Sequence, residues 1–170
     1  MPVPAGKKTV ILVRGLFGMI WSRGMDRLAA TLAADGYQTQ VWNHSPFFLF
    51  WFANKGAIAA EIDRLVAAGQ TVILVGHSFG GSVLLMALRA CRSSVAALFA
   101  VDPARQYDTT VPKNVKAAFG FRSIVGGLGM GILAPKGDPR ITDIALRESH
   151  TFIDDDPAVH DRIIAEIMKI

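Results

Sequence analysis

Across its 170 residues the chain carries a single cysteine, Cys91. One thiol excludes an intrachain disulfide framework and a cysteine-based zinc site, and Cys91 reads as a small core residue on an apolar helix. Charged residues are also scarce, at 19% against 51% hydrophobic. That balance excludes a disordered chain and points to a globular, rather apolar protein. The net charge is +4, yet the only adjacent basic pair is Lys7-Lys8, so nucleic-acid binding is not expected. Long apolar runs are missing as well. The longest, Pro46 to Ala53, is too short to span a bilayer, and the N-terminus shows no signal-peptide pattern. The expectation is a cytoplasmic protein with no transmembrane segment, built as a single domain over residues 1–170.

What the sequence does contain is organised around TVILVGHSFGGSVLLM, Thr71 to Met86. Val72 to Val75 is a short β-branched apolar run that reads as a buried strand. Gly76-His77-Ser78-Phe79-Gly80 follows, and Ser82 to Cys91 reads as an apolar helix. Strand, G-x-S-x-G, helix is the context that marks a nucleophile elbow. A sharp turn there forces the serine into a strained backbone, needs small neighbours, and aims the hydroxyl out at the end of the sheet. The amide after the serine then faces a nascent oxyanion at a helix N-terminus.

The remaining pattern alternates strands and helices. Thr9 to Val13, Tyr37 to Trp42, Ser94 to Val101, Ala117 to Arg122 and Ile141 to Leu146 read as strands. Trp21 to Ala34, Ala57 to Ala68 and Pro157 to Ile170 read as helices. Such alternation predicts an α/β fold: a mainly parallel sheet of about six strands with helices on both faces.

A serine nucleophile needs a base and a carboxylate to orient it. Of four histidines, His77 is held inside the elbow and His160 reads as a solvated helix residue. His150 lies in a loop directly after a strand, where open parallel sheets collect their functional groups; His44 is a distant second. For the acid, Asp102 ends the strand that follows the elbow helix, with Asp108, Asp138 and Asp143 as alternatives. Asp154 to Asp156 read as capping residues of the last helix.

These residues resemble the α/β-hydrolase superfamily of lipases, esterases and thioesterases, over nearly the whole chain from Thr9 to Ile170. The matching pieces are RGLFG at Arg14 to Gly18, GHSFG as the elbow, VDPA around Asp102 and ESHTFID around His150. VDPA is similar to pancreatic-type lipases, whose acid follows the strand after the elbow. The resemblance implies a reduced hydrolase fold without the first two strands or a lid domain. It implies Ser78, Asp102 and His150 as catalytic residues, with the amides of Leu16 and Phe79 as the oxyanion hole. Arg14 stands where the family commonly has histidine. The implied activity is cleavage of a carboxylic ester in a small-molecule acyl ester substrate, with no metal or organic cofactor. A thioesterase, acyltransferase or perhydrolase on the same residues, or a catalytically idle binding protein, are the competing readings.

Two stretches stand apart. Pro46 to Phe52 is a helix or loop folded over the core, the wall of an acyl pocket, or a flap that touches lipid or a partner, and its place after a strand favours the pocket, formed by Phe47, Phe48, Phe50 and Trp51. Gly126 to Gly131 lacks the spacing of a nucleotide loop and reads as a flexible loop near the site.

Overall fold

The computed structural model describes residues 7–16, 23–43, 51–104, 107–125, 129, 131–132 and 137–170, with the side chains of 51–53 outside the description. The described residues form six strands and four helices, with strands and helices alternating up to β4 and the last three strands consecutive: β1 (Lys8–Val13), α1 (Gly24–Ala34), β2 (Gln38–Trp42), α2 (Trp51–Ala67), β3 (Thr71–His77), α3 (Phe79–Ala90), β4 (Val95–Val101), β5 (Val115–Val125), β6 (Ile141–Ser149) and α4 (Pro157–Ile167). The strands form one sheet in the order β2-β1-β3-β4-β5-β6, and every neighbouring pair is parallel. A parallel sheet must be covered on both sides, so its inner strands read as continuous apolar runs rather than alternating ones. TVILV in β1 and VILV in β3 do so.

Side chains along each strand alternate between two cores. One contains Ile11, Val72, Leu74 and Leu98 against Ile58, Ile62 and Leu65 of α2 and Leu84 and Leu88 of α3. The other sets Val10, Leu12, Ile73, Val75 and Phe99 against Met25, Leu28 and Leu32 of α1 and Val159, Ile163 and Ile167 of α4. Helices thus cover both faces, two on each. Each fully buried side chain of this size contributes about 1.5–3 kcal/mol relative to exposure.

Boundaries moved where tertiary contacts extend an element. β5 runs three residues past the expected Arg122, and β6 reaches Ser149, because β5 and the edge strand β6 pair along most of their length, with a register shift between Ser123 and Val125. Helix α3 begins at Phe79 rather than Ser82, so the turn before it is a single residue. Helix α2 begins at Trp51, six residues before the expected Ala57. Phe47, Phe48 and Phe50 lie outside the described residues, as does His44. Among the described residues no helix is long and apolar enough to cross a membrane.

Candidate active site

Strands β3, β4 and β6 deliver their next residues to one edge of the sheet. Ser78 follows β3 with φ 53° and ψ −122°, a backbone conformation that costs a non-glycine residue on the order of 1–3 kcal/mol. Close packing holds it there. A Cβ on Gly80 would come within 2.1 Å of the Val13 carbonyl oxygen, and one on Gly76 within 2.7 Å of the Gly81 nitrogen. The helix start therefore sits directly on the end of β1 and leaves no room for side chains at either glycine. The Ser78 N–H donates to the Val101 carbonyl at 2.9 Å, which continues the β3–β4 ladder through the turn.

His150 bridges the serine and the acid. Its Nε2 lies 2.9 Å from Ser78 Oγ, and its Nδ1 lies 2.6 Å from Asp102 Oδ2. A carboxylate only accepts, so Nδ1 carries the proton and Nε2 is left to accept from the serine hydroxyl. Asp102 is fully buried and also takes the Ser123 N–H on Oδ1 at 3.1 Å. The alternative acids are occupied elsewhere. Asp108 binds Arg89 and the Thr110 amide, Asp138 binds Arg140, and Asp143 pairs with Arg122. The guanidinium of Arg140 and its amide hold the Asp138 carboxyl below its ordinary range, and the Thr110 hydroxyl and amide do the same for Asp108.

Leu16 stands in the turn after β1, and Phe79 opens α3 beside the serine. The turn is brought against the elbow at Gly15, where a Cβ would fall 3.2 Å from Ser78 Cβ and from His77 Nδ1. Arg14 faces away from the serine. Its guanidinium binds Asp26 of α1 and the Asn43 amide oxygen, while its N–H donates to the Trp42 carbonyl at 3.2 Å. The arginine at the family's histidine position thus ties the turn to α1 and to the end of β2.

Three expectations are corrected by packing. Gly129 is buried and bridges Ala104, and a Cβ on it would lie 2.2 Å from the Asp102 carboxyl carbon. A Cβ on Gly131 would lie 2.5 Å from Asp143 Oδ1. These two glycines allow backbone to lie flat on two carboxyl groups and are packed cover, while residues 126–128 and 130 of the expected flexible loop lie outside the described residues. Asp154 is not a helix cap: it is 1% exposed, and Asp156 caps α4 by accepting the Ala158 N–H at 2.8 Å. His160 is half-buried, not solvated, with its Nε2 donating to the Asp154 carbonyl at 2.7 Å.

The residue the sequence reading passed over is His77. It is 3% exposed, and its Nε2–H donates to the His150 carbonyl at 2.8 Å. Burial, with a smaller push from His150, lowers its pKa to about 4, so it is neutral at pH 7. The 3.7 Å separation of Nδ1 from Asp154 Oδ1 is accordingly no ion pair there, and it is too long for a hydrogen bond. The available signal was a polar side chain closing an otherwise apolar strand. Beside the His150 loop, a cavity of about 270 Å³ is lined by Arg23, Arg27, Thr151, Phe152 and Asp154, a second feature with no sequence signature.

The sequence profile of the alpha/beta hydrolase family matches residues 10–167. The chain belongs to that family. Lipase LipV of Mycobacterium tuberculosis (strain ATCC 25618 / H37Rv) is 34% identical to this hydrolase over 118 residues, or 66% of the chain and 43% of LipV. The chain therefore matches less than half of that relative's length. Among solved structures, one of the metagenome-derived lipolytic enzymes LipS and LipT superposes with a TM-score of 0.67 at 15% identity, covering 97% of the chain and 95% of its own. The ydeN gene product of B. subtilis gives 0.64 at 14%, covering 95% and 99%. An alpha/beta-superfamily hydrolase structure from Xanthomonas campestris pv. campestris gives 0.68 at 13%, again covering 95% and 99%. At these identities the structures share the hydrolase fold with the chain.

Proposed function

We propose that this hydrolase cleaves small carboxylic esters through a covalent acyl-serine. The observation that carries the reading is the hydrogen-bonded series Ser78–His150–Asp102, at 2.9 and 2.6 Å, in the chain order Ser, Asp, His that follows an elbow. The lipase name of one relative supports the substrate class. In this reading Ser78 Oγ attacks the ester carbonyl carbon as its proton passes to His150 Nε2. The amides of Leu16 and Phe79 hold the oxyanion. The tetrahedral adduct collapses, the bond to the alkoxy oxygen breaks, and His150 returns the proton to that leaving group. Water then attacks the acyl-serine with His150 again accepting a proton, and the carboxylic acid leaves as Ser78 is regenerated. Asp102 fixes the His150 tautomer and stabilises the imidazolium formed in each step. No step requires a metal or an organic cofactor. The same reading treats the chain as one cytoplasmic domain.

The test is hydrolysis of p-nitrophenyl esters from acetate to long acyl chains by wild type and Ser78→Ala, with fluorophosphonate labelling alongside. Activity and labelling that vanish in the variant are expected. A wild type that is inert on every ester and unlabelled overturns the reading in favour of a binding protein, and faster transfer to an added alcohol or thiol than to water moves it to an acyltransferase.

A further inference from the structure

We propose that His77 is a positioning residue that clamps the loop carrying His150 to the strand carrying Ser78. The need arises from the sheet order. His150 follows β6, the edge strand, and Ser78 follows β3, so β4 and β5 stand between them. Among the described residues β6 pairs with β5 alone, and that pairing shifts register between Ser123 and Val125, close to the end that bears His150. A base delivered from such an edge has no ladder bond to the nucleophile's strand. Yet the Oγ–Nε2 contact is 2.9 Å, and a 1 Å misplacement of a reacting group costs about a hundredfold in rate.

His77 spans that gap directly. It precedes Ser78 in β3, and its Nε2–H donates to the backbone carbonyl of His150 at 2.8 Å. Its ring lies against the His150 ring, with centroids 5.2 Å apart and planes inclined by 39°. On its other side Nδ1 faces the 3₁₀ turn Ile153–Asp155 at Asp154 and the close approach of Gly15. One buried imidazole thus touches the turn of the expected oxyanion loop, the base loop and the segment after it, while its own backbone leads into Ser78. An apolar side chain would fill the space but leave the His150 carbonyl without this donor. The kinetic consequence of the clamp rests on the ester-hydrolase reading; the clamp itself does not.

The experiment compares His77→Gln, which keeps a donor at the Nε2 position, with His77→Asn, whose amide stops short of the carbonyl, and His77→Met, which has none. Thermal unfolding first establishes that each variant folds; the Gln and Asn pair suffices if Met does not. Expected are kcat losses of about a hundredfold for Asn and Met with KM within about threefold of wild type, and recovery of at least about tenfold by Gln. Equal activity of Gln, Asn and Met, or a loss confined to KM, overturns the proposal. The downfield proton resonance of His150 Nδ1–H, bonded to Asp102, supplies a readout that needs no turnover. The clamp requires it in wild type and His77→Gln and its loss or broadening in Asn and Met; its persistence in all four overturns the clamp. A wild type inert on every ester would sink the hydrolytic reading while this resonance still decided the clamp.

Discussion

Ser78 and Asp102 are the two non-glycine residues with positive φ among the described residues, at 53° and 43°. They stand one step beyond the register pair His77 and Val101, at the carboxyl ends of neighbouring parallel strands. Each strand ends in a residue forced into a sparsely populated conformation, and each of the two side chains contacts His150. Strain of about 1–3 kcal/mol per residue persists where the surroundings overdetermine it, and such positions cluster at active sites.

That strain predicts a trade of function for stability at the elbow. Ser78→Gly is expected to raise stability by about 1 kcal/mol, because glycine adopts φ 53° at no steric cost, while abolishing fluorophosphonate labelling. Urea denaturation and labelling on the same samples would check both halves. A variant less stable than wild type would show that the serine backbone is not under load.

Asp102→Asn should leave the fold intact, since asparagine tolerates positive φ, and should lower kcat by about a thousandfold or more by favouring the wrong His150 tautomer. Steady-state kinetics with a thermal melt would separate the two effects. Activity near wild type would remove Asp102 from the proposed chemistry.

Gly129→Ala tests the cover over the acid. Its Cβ would fall 2.2 to 2.4 Å from the atoms of the Asp102 carboxyl group, so backbone or carboxylate must move. Destabilisation of about 1–3 kcal/mol is expected, with a fall in kcat because Asp102 orients His150. Wild-type stability and activity would mean that the loop lifts freely.

Acid should weaken the fold through His77. Its folded pKa of about 4 lies below the ordinary 6.5, so the unfolded chain takes up a proton that the native state refuses. The contribution is nil above about pH 6.5, grows as pH falls, and reaches a loss of about 3 kcal/mol near pH 4. His77→Gln should therefore lose less stability than wild type between pH 7 and pH 4.5 in denaturant titrations. Parallel losses in the two proteins would show that another group carries the acid sensitivity.

Local chemistry made much of this protein legible from its residues in order. VILV before GHSFG reads as strand and elbow because β-branched runs and small turn residues act over a few positions. Alternating apolar runs with glycine stops sufficed for six strands, four helices and two-sided cover. That Asp102 and His150 lie beside Ser78 was readable because parallel strands end at one edge, so residues just past them converge. The limits of elements were less so: α2 starts at Trp51 and β6 runs to Ser149 because helix and ladder propagate wherever partners continue, whatever the local preference.

What the tertiary structure decided are contacts between residues far apart in the chain. His77 reaches the His150 carbonyl 73 positions away, and Gly129 covers Asp102 27 positions away. Neither residue carries a local mark of its role, since a histidine in an elbow and a glycine in a glycine run have ordinary local explanations. The sequence by itself determined which elements form and which residues end them, because backbone preference and apolar periodicity are short-range. The donor to the His150 loop and the backbone laid over Asp102 were decided only when the folded sheet brought its ends together, because burial and hydrogen bonding depend on neighbours in space.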